Sequence, residues 1–370
     1  MGGHSQRAVC LIGIFPPAGG GQAAVNDFYR RTFVEASARV SVINISPPVG
    51  PRVWYRSLVR AARVAWGLPR LVALCLVGAA DSIYLGVSGH RGQLYDVLFV
   101  CMARLCKANL ILHHDSYRYI NRRSRLADVL FRFAGARAMH IVLCEDMSRR
   151  LYRQYPSAMR RIVIANAAST DEPAHSPGER QAPRAIGFIS NITRAKGIFE
   201  FLTVAERVHQ LRPEVRAVLA GPLHEKAIER ALSERLRAAP WIEYVGPLYG
   251  NDKSRFYGAI DVLVFPTRHA DEADPNVVNE ASAHGVVVIS RSRGCISEML
   301  WAGGGVSIDD DADFEALAER TIVRWCDEPE SFALVSRAAI GSHLAASQIH
   351  RKRLAGLVDD LTGPMAPLTR

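Results

Sequence analysis

Short apolar runs alternate along this 370-residue chain with longer stretches in which apolar positions recur every three to four residues. Runs of about four to eight apolar residues predict buried strands, and the helical period predicts amphipathic helices. Helices are predicted over 22–38 and 93–106, and a further helical face contains Ile198, Phe201, Leu202, Ala205 and Val208. Strands are predicted over 8–15, 39–45, 82–86, 109–112, 140–143, 162–164, 185–189, 217–220, 242–245, 262–265 and 286–290. Repeated strand–helix–strand units predict an α/β fold with parallel sheets covered by helices.

A break in this pattern divides the chain into two domains. The segment 168–184 is rich in Pro, Ser and charged residues and has no apolar period. We therefore predict two doubly wound, Rossmann-like domains, 1–168 and 185–345, joined by a linker at 169–184. Residues 346–370 are predicted to form a C-terminal helix or tail that can pack back on the first domain. Two such domains would face a cleft, and ligands of doubly wound sheets bind at the carboxyl ends of the strands.

The charge of the chain is unevenly distributed. The net charge is +10 and the pI is about 9.5. Residues 1–170 contain 23 Lys and Arg against 8 Asp and Glu, a net charge of +15, whereas residues 171–370 contain 23 against 28, a net charge of −5. A basic surface favours polyanions such as nucleic acid, an anionic membrane or a phosphorylated ligand. The asymmetry predicts that the two halves have different partners.

One predicted helix in the basic half carries a basic face. Arg52, Arg56, Arg60 and Arg63 fall on one side, and Trp54, Leu58, Ala61 and Ala65 lie opposite. A helix of this kind can lie on an anionic membrane surface. An ordinary domain helix with a solvated arginine face explains the same pattern.

Targeting and metal signals are weak. The apolar run 8–15 ends at Pro16-Pro17 rather than at a small-residue cleavage site, so it predicts a first strand instead of a signal peptide. The run 71–80 is too short to span a bilayer, and we expect a cytoplasmic protein that can associate peripherally with the inner face of the cell membrane.

The chain has no Cys-x-x-Cys pair, and its Asp-x-Asp at 311–313 lies in an acidic loop. No metal site is predicted.

The segment 266–285 contains the strongest candidates for chemistry. Asp274 followed by Pro275 predicts a helix start after the strand ending at residue 265. Glu272 lies just before this helix and Glu280 within its second turn, and two carboxylates there can accept hydrogen bonds from vicinal hydroxyls. A solvated acidic loop followed by a surface helix explains the same spacing.

Two further segments lie between a strand and a helix. In 190–197, Arg194 and Lys196 at a helix start can place cations and backbone donors on a pyrophosphate. In 15–22, the glycines 19–21 let the backbone approach a ligand closely. Neither segment has the Walker or the dinucleotide fingerprint, and a basic turn and a flexible turn are the alternative interpretations.

His113 and His114 stand at the end of a predicted strand. Either ring could meet a reacting group at this edge of the sheet. Adjacent residues on a strand point to opposite faces, so a shared metal is disfavoured and one of the two is expected to be structural.

Together these segments resemble the retaining glycosyltransferases of family 4 (glycosyl transferases group 1), which have the two-domain GT-B fold. The resemblance spans nearly the whole chain and is sharpest over 185–300. Its motifs are Glu272-x7-Glu280 with Pro275 and the two following valines, similar to the paired-glutamate motif; Lys196-Gly197, similar to the phosphate Lys-Gly; and Gly294–Glu298, similar to the Gly-x-x-x-Glu turn.

The resemblance implies a role for each matching residue. Glu280 would bind the ribose of a nucleotide-sugar donor, Lys196 its diphosphate, and Glu272 with the following turn the transferred sugar. Many members carry an Arg five residues before the Lys; here that position is Asn191, and Arg194 can substitute for it. The implied donor-binding residues are Gly20, Gly21, Asn191, Arg194, Lys196, Gly197, Asp274, Asn276, Val277 and Glu280, and the implied catalytic residues are His113, His114 and Glu272.

The implied activity is that of a retaining, hexosyltransferase-type glycosyltransferase. It would move a sugar from a UDP- or GDP-sugar to a saccharide or lipid-linked acceptor in surface polysaccharide synthesis, without a cofactor or metal. A nucleotide-sugar epimerase of the same fold is one alternative. A basic nucleic-acid-binding protein is another, but no known basic-aromatic module is visible in the +15 half, so no nucleic-acid partner is expected.

Overall fold

The computed structural model describes residues 7–17, 20–48, 53–173, 180–223 and 225–362. Contacts divide the chain into one unit formed by the residues up to Ser169 with those from Ile349 onward, and a second unit from Thr170 to Gln348. The strands are β1 (Ala8–Gly13), β2 (Arg39–Asn44), β3 (Ser82–Val87), β4 (Asn109–His114), β5 (Met139–Val142), β6 (Arg160–Val163), β7 (Ala185–Ile189), β8 (Arg216–Ala220), β9 (Ile242–Tyr244), β10 (Val262–Phe265), β11 (Val287–Arg291) and β12 (Gly305–Ile308). The helices are α1 (Gly21–Glu35), α2 (Val53–Leu76), α3 (Gln93–Leu105), α4 (Arg118–Asn121), α5 (Arg125–Ala134), α6 (Glu145–Gln154), α7 (Ile198–Leu211), α8 (Lys226–Ala238), α9 (Asn251–Ala259), α10 (Asn276–Ala283), α11 (Ile296–Leu300), α12 (Phe314–Asp327) and α13 (Pro329–Thr362).

The first unit is built on a six-stranded parallel sheet in the order β2-β1-β3-β4-β5-β6. One hydrophobic core joins the sheet to α1 and to the end of α13; it includes Val9, Leu11, Tyr29, Phe33, Tyr84, Leu354 and Leu357. On the other face, α2 packs against α3 and α3 against α5. The last turns of α13 thus complete the cover of the first sheet, because they bury leucines against it.

The second unit contains a parallel six-stranded sheet in the order β12-β11-β10-β7-β8-β9. Alternate strand residues form two cores, one with α7, α8, α12 and the start of α13, and one with α9, α10 and α11. Both middle strands, β7 and β10, are fully buried because helices cover both sheet faces. The carboxyl ends of β7 and β10 are therefore neighbours.

The predicted fold class, two doubly wound parallel sheets, is confirmed. The strands predicted over 185–189 and 262–265 have the observed bounds. The edge strand β12 was missed because three of its four residues are only half-buried and the sequence Gly-Val-Ser-Ile has no clear apolar run. Within the predicted linker, Arg180 is anchored to the second unit by an ion pair with Asp261 at 3.0 Å and by backbone carbonyls.

Two arginines of the basic helix α2 contact other parts of the first unit. Arg60 donates to Ser88 at 3.3 Å and lies over the ring of Tyr95, and Arg63 donates to the carbonyl of Ser46. Arg60 is half-buried, whereas Arg63 remains exposed although it contacts the protein. Arg52 lies outside the described residues. Among the described residues, no helix is long and apolar enough to cross a membrane.

Candidate functional site

The turn after β7 and the loop after β10 are joined at the centre of the second sheet. The backbone N–H of Arg268 donates to the carbonyl of Ala195 at 2.8 Å. The Thr193 side chain accepts from the N–H of Lys196 and caps the short 3-10 turn 194–196. Gly197 follows with φ of 85°, a conformation that favours glycine, and is the N-terminal cap residue of α7. These contacts fix the Lys-Gly segment against the loop that carries Glu272.

Gly197→Ala is expected to destabilise this turn by about 3 kcal/mol. A Cβ at this position would lie 2.4 Å from the carbonyl oxygen of Pro266, so the two segments would have to separate. Gly246→Ala is the matched control because Gly246 also has a positive φ, of 78°, but a Cβ there meets nothing within 4 Å. Chemical denaturation measures both variants, and equal losses for the two would contradict the packing argument.

Lys196 and Glu272 form an ion pair between the two segments. The Lys196 Nζ donates to Glu272 Oε2 at 2.5 Å, and the Thr267 hydroxyl donates to the same oxygen at 2.9 Å. Both charged side chains are largely buried. The ammonium group also lies 5.5 Å from the centre of the Phe265 ring. A cation held in this way can move its hydrogen bond from the carboxylate to a phosphate oxygen with little rearrangement of the backbone.

A cavity of about 960 Å³ opens beside this pair. It is lined by the predicted residues Asn191, Arg194 and Lys196. The Arg194 guanidinium lies over the Phe199 ring at 4.8 Å. Arg268, which also lines the cavity, is paired with Glu200 at 2.7 Å. The cavity has the size of a small-molecule site and combines cations with an aromatic surface.

Glu280 is held by two residues that were not among the sequence candidates. The Tyr257 hydroxyl donates to Glu280 Oε2 at 2.7 Å, and the Lys253 ammonium is hydrogen-bonded to Oε1. Burial and the Glu280 carboxylate raise the pKa of Tyr257 well above its usual range, so it stays a donor. Both residues come from α9, four positions apart on one helical face. That spacing is visible in the sequence, but nothing in it indicates that α9 faces α10.

The start of α10 differs by one residue from the prediction. The helix begins at Asn276 with Pro275 at the cap, so Asp274 is not the cap residue. Asp274 is buried and accepts from the Asn279 side chain at 2.7 Å, which holds its carboxylate against α10. The helix starts one residue later than predicted because Pro275 has an extended backbone conformation, with ψ of 121°, so Asn276 is the first helical residue. Val277, in the first turn of α10, is packed against the core.

The two strand histidines point to opposite faces of the first sheet, as alternation requires. His114 is satisfied at both ring nitrogens, by Tyr119 at 2.8 Å and by His140 at 2.9 Å, and stacks on the His140 ring. His113 is bonded to the Tyr84 hydroxyl through Nδ1, while its buried Nε2 has no hydrogen-bond partner. Both histidines are fully buried, and they differ in that only the His114 ring is hydrogen-bonded at both nitrogens.

Side chains next to His113 form a polar network at the strand ends of the first unit. Asp115 Oδ1 lies 3.4 Å from His113 Nε2, and Gln22 donates to the other Asp115 oxygen at 3.3 Å. Gly20, with φ of 116°, caps α1, and Gly21 is its first residue. This places the described part of the glycine-rich turn next to Gln22. Gly19 lies outside the described residues.

Stability is expected to fall as the pH drops from about 6.5 to 5. Burial lowers the pKa values of His113 and His114 and lowers that of His140 to about 3. In this pH range the three rings bind protons only in the unfolded chain. Each ring therefore lowers the free energy of unfolding by about 1.4 kcal/mol for every pH unit below its unfolded pKa. Asp96 has the opposite effect. Burial raises its pKa to about 7, so the folded protein binds this proton more tightly than the unfolded chain and gains stability as the pH falls below 7.

The test is the pH dependence of the free energy of unfolding. His140→Asn should reduce the slope between pH 6 and 5 by about 1.4 kcal/mol per pH unit. Equal slopes in the wild type and in His140→Asn would refute the assignment of the acid sensitivity to the buried rings.

The predicted site residues fall into two groups. Gly20, Gly21, His113 and His114 belong to the first unit, and the remaining predicted residues belong to the second. Within the second unit, Lys196 and Glu272 are in direct contact. In the described ranges, no group of three or more His, Cys, Asp or Glu side chains is arranged to hold a metal ion.

Comparisons with known proteins agree with this geometry. Residues 183–325 match the family described as Glycosyl transferases group 1, so the second unit contains a domain of that family. No curated protein matches the sequence.

Among solved structures, HepE of Anabaena, in complex with UDP, aligns with a TM-score of 0.69 at 17% identity over 95% of this chain and 100% of its own. Sucrose-phosphate synthase of Thermosynechococcus elongatus aligns with a TM-score of 0.74 at 16% identity over 96% and 99%. WaaG, a glycosyltransferase involved in lipopolysaccharide biosynthesis, aligns with a TM-score of 0.64 at 15% identity over 96% and 100%. The chain has the GT-B fold.

Proposed function

We propose that this chain is a glycosyltransferase that moves a sugar from a nucleotide-sugar donor, a UDP- or GDP-sugar, to a saccharide or lipid-linked acceptor with retention of configuration. The observation that carries the proposal is the Lys196–Glu272 pair beside the cavity, inside the domain matched to the glycosyl transferases group 1 family. HepE was solved with UDP and with UDP-glucose, which supports a uridine nucleotide as the first donor to test.

The proposed donor site assigns each group a chemical task. Glu280, positioned by Lys253 and Tyr257, accepts hydrogen bonds from the ribose hydroxyls. Lys196 binds the diphosphate and stabilises the charge that develops on it as the glycosidic bond breaks. Glu272 and the loop after it hold the transferred sugar, whose transition state has oxocarbenium character. Asn191 and Arg194, at the cavity wall, extend the phosphate contacts.

The first unit would supply the acceptor side. His113, with its free Nε2 beside Asp115, is the group we assign to the reacting centre. The proposal includes no protein nucleophile and no bound metal. WaaG acts in lipopolysaccharide biosynthesis, which supports an acceptor presented at a membrane and a role at the inner face of the cell membrane in surface polysaccharide synthesis.

A thermal-shift panel of nucleoside diphosphates and their sugars tests donor binding, because a ligand that binds the folded state raises the melting temperature. We expect one base to shift the melting temperature and the others to leave it unchanged. NMR of the reaction with the selected donor then reports the product and its anomeric configuration. If the product is an epimerised nucleotide sugar, the enzyme is an epimerase and not a transferase. If no nucleotide changes the melting temperature, the proposed donor site is wrong.

A further inference from the structure

A series of buried hydrogen bonds leads from α1 to the His113 ring. It joins three fully buried residues, Asn26 of α1, Tyr84 of β3 and His113 of β4. The strand register places Gly86 beside His113, and alternation turns Tyr84 to the same sheet face, which α1 covers. The Tyr84 hydroxyl is hydrogen-bonded to Asn26 Oδ1, at 3.1 Å, and to His113 Nδ1. We call these residues the Asn26–Tyr84–His113 network.

The direction of the hydrogen bonds is set at Asn26. Its Nδ2 donates to the carbonyl of Ile14 at 2.9 Å, and only the NH₂ end of an amide can face a carbonyl. Oδ1 therefore faces Tyr84, where it can only accept. The amide has little room to move, because a Cβ at Gly13 would lie 2.8 Å from Nδ2 and one at Gly86 would lie 3.4 Å from Oδ1.

One arrangement of protons satisfies all three side chains. Tyr84 has a single hydroxyl proton and donates it to Asn26, so its oxygen accepts from His113 Nδ1. In the opposite arrangement the Tyr84 oxygen and Asn26 Oδ1 would face each other without a proton between them, which is costly in a buried site. Burial lowers the pKa of His113, so the ring is neutral and carries one proton. That proton is on Nδ1, and Nε2 has a lone pair.

The network ends at His113 Nε2 and Asp115 Oδ1. These atoms lie 3.4 Å apart but are not aligned as a hydrogen bond, and within the described part of the chain neither has a hydrogen-bond partner. The other oxygen of Asp115 accepts from Gln22. The Asp115 side chain is 11% exposed, so the two atoms approach the surface on that side. Neighbouring acceptors of this kind fit a group that supplies its own hydrogen, such as a hydroxyl.

We propose that Tyr84 and Asn26 are positioning residues that hold His113 as its Nδ1–H tautomer, so that Nε2 accepts a hydrogen bond from a substrate hydroxyl. The other tautomer would direct an Nε2–H towards Asp115 and leave the hydroxyl hydrogen without this acceptor. The Tyr29 ring, with its centre 4.9 Å from that of His113 and 5.0 Å from that of Tyr84, packs against both rings. The proposal rests on the proposed function, which assigns His113 to the reacting centre.

Nitrogen-15 NMR of the histidine-labelled, full-length protein tests the network, because protonated and unprotonated ring nitrogens have well-separated chemical shifts. His113→Gln identifies the signals of this ring. In the wild type near neutral pH we expect a protonated Nδ1 and an unprotonated Nε2. Tyr84→Phe should move the proton to Nε2. Asn26→Leu should do the same although Asn26 does not contact the ring, because Tyr84 is then free to donate to Nδ1.

Steady-state kinetics test the hydroxyl contact. Tyr84→Phe should lower kcat/KM for the donor selected by thermal shift by about tenfold, since Nε2 would no longer accept. Tyr119→Phe is the matched control, because it removes a hydroxyl that is hydrogen-bonded to Nδ1 of the neighbouring ring, His114, at 2.8 Å. It should leave the His113 signals and the kinetics of the donor unchanged.

Three results would overturn the proposal. The first is a wild-type ring with its proton on Nε2, and the second is an unchanged tautomer in both Tyr84→Phe and Asn26→Leu. The third is wild-type kinetics in a Tyr84→Phe protein whose tautomer has switched, which would show that Nε2 does not meet a substrate hydroxyl. Absence of turnover in every protein, the wild type included, refutes the proposed function and with it the hydroxyl contact, while the NMR result still decides the network.

Discussion

Lys196→Ala is expected to lower kcat/KM for the nucleotide-sugar donor by about 10²–10³-fold. The variant removes the cation that lies beside the cavity and leaves Glu272 without its ion-pair partner. The diphosphate would then be repelled by the unpaired Glu272 carboxylate, which weakens both donor binding and stabilisation of the leaving group. Steady-state kinetics with the donor identified by thermal shift measures the loss.

Two variants keep this prediction specific. Lys226→Ala removes an exposed lysine at the start of α8 in the same unit and should retain wild-type kinetics. Lys196→Arg keeps the charge and should recover part of the activity, although its planar group does not replace a compact ammonium ion. Full activity in Lys196→Ala would show that the diphosphate is bound elsewhere.

Glu280→Ala is expected to reduce kcat/KM by about 10²-fold, chiefly through a higher KM for the donor. The ribose hydroxyls would lose their acceptor, and Lys253 and Tyr257 would lose the group they hold. A donor analogue without the 2′-hydroxyl should already bind weakly to the wild type and lose little more in the variant. That non-additivity is the signature of a direct contact.

The control is Glu319→Gln, because Glu319 is paired with Arg207 in the same unit and has no place in the proposed site. It should leave both kinetic constants unchanged. Tyr257→Phe keeps the carboxylate but removes one of its donors, and an intermediate rise in KM is expected. If Glu280→Ala has the KM of the wild type, the ribose assignment is wrong.

Local patterns were sufficient to predict most of the fold. The strands β7 and β10 are buried on both faces, and a short run of apolar residues is therefore enough to predict each of them as a strand. The turn residues Thr193 and Gly197 sit where the chain needs a cap and a positive φ. Strand β12 lacked such a signal, because half-buried edge positions do not require an apolar residue at every site.

The candidate site was predictable in its residue types but not in its contacts. Glu272 and Lys196 were both identified, although 76 positions separate them and no local rule pairs them. Their contact follows from β7 and β10 being neighbours in the sheet. The support of Glu280 by Lys253 and Tyr257 depends in the same way on the packing of α9 beside α10, which has no sequence signature.

The basic first half also shows which properties follow from the sequence and which depend on the tertiary structure. The sequence alone determined that the first half is basic, that α2 has arginines on one side and Trp54 and Leu58 on the other, and that His113 and His114 point to opposite faces. Only the tertiary structure decided which side of α2 is covered, because Val64, Gly67 and Leu71 are buried while Trp54 and Trp66 remain in solvent. Periodicity fixes which residues share a face, but the partner that covers a face comes from distant parts of the chain.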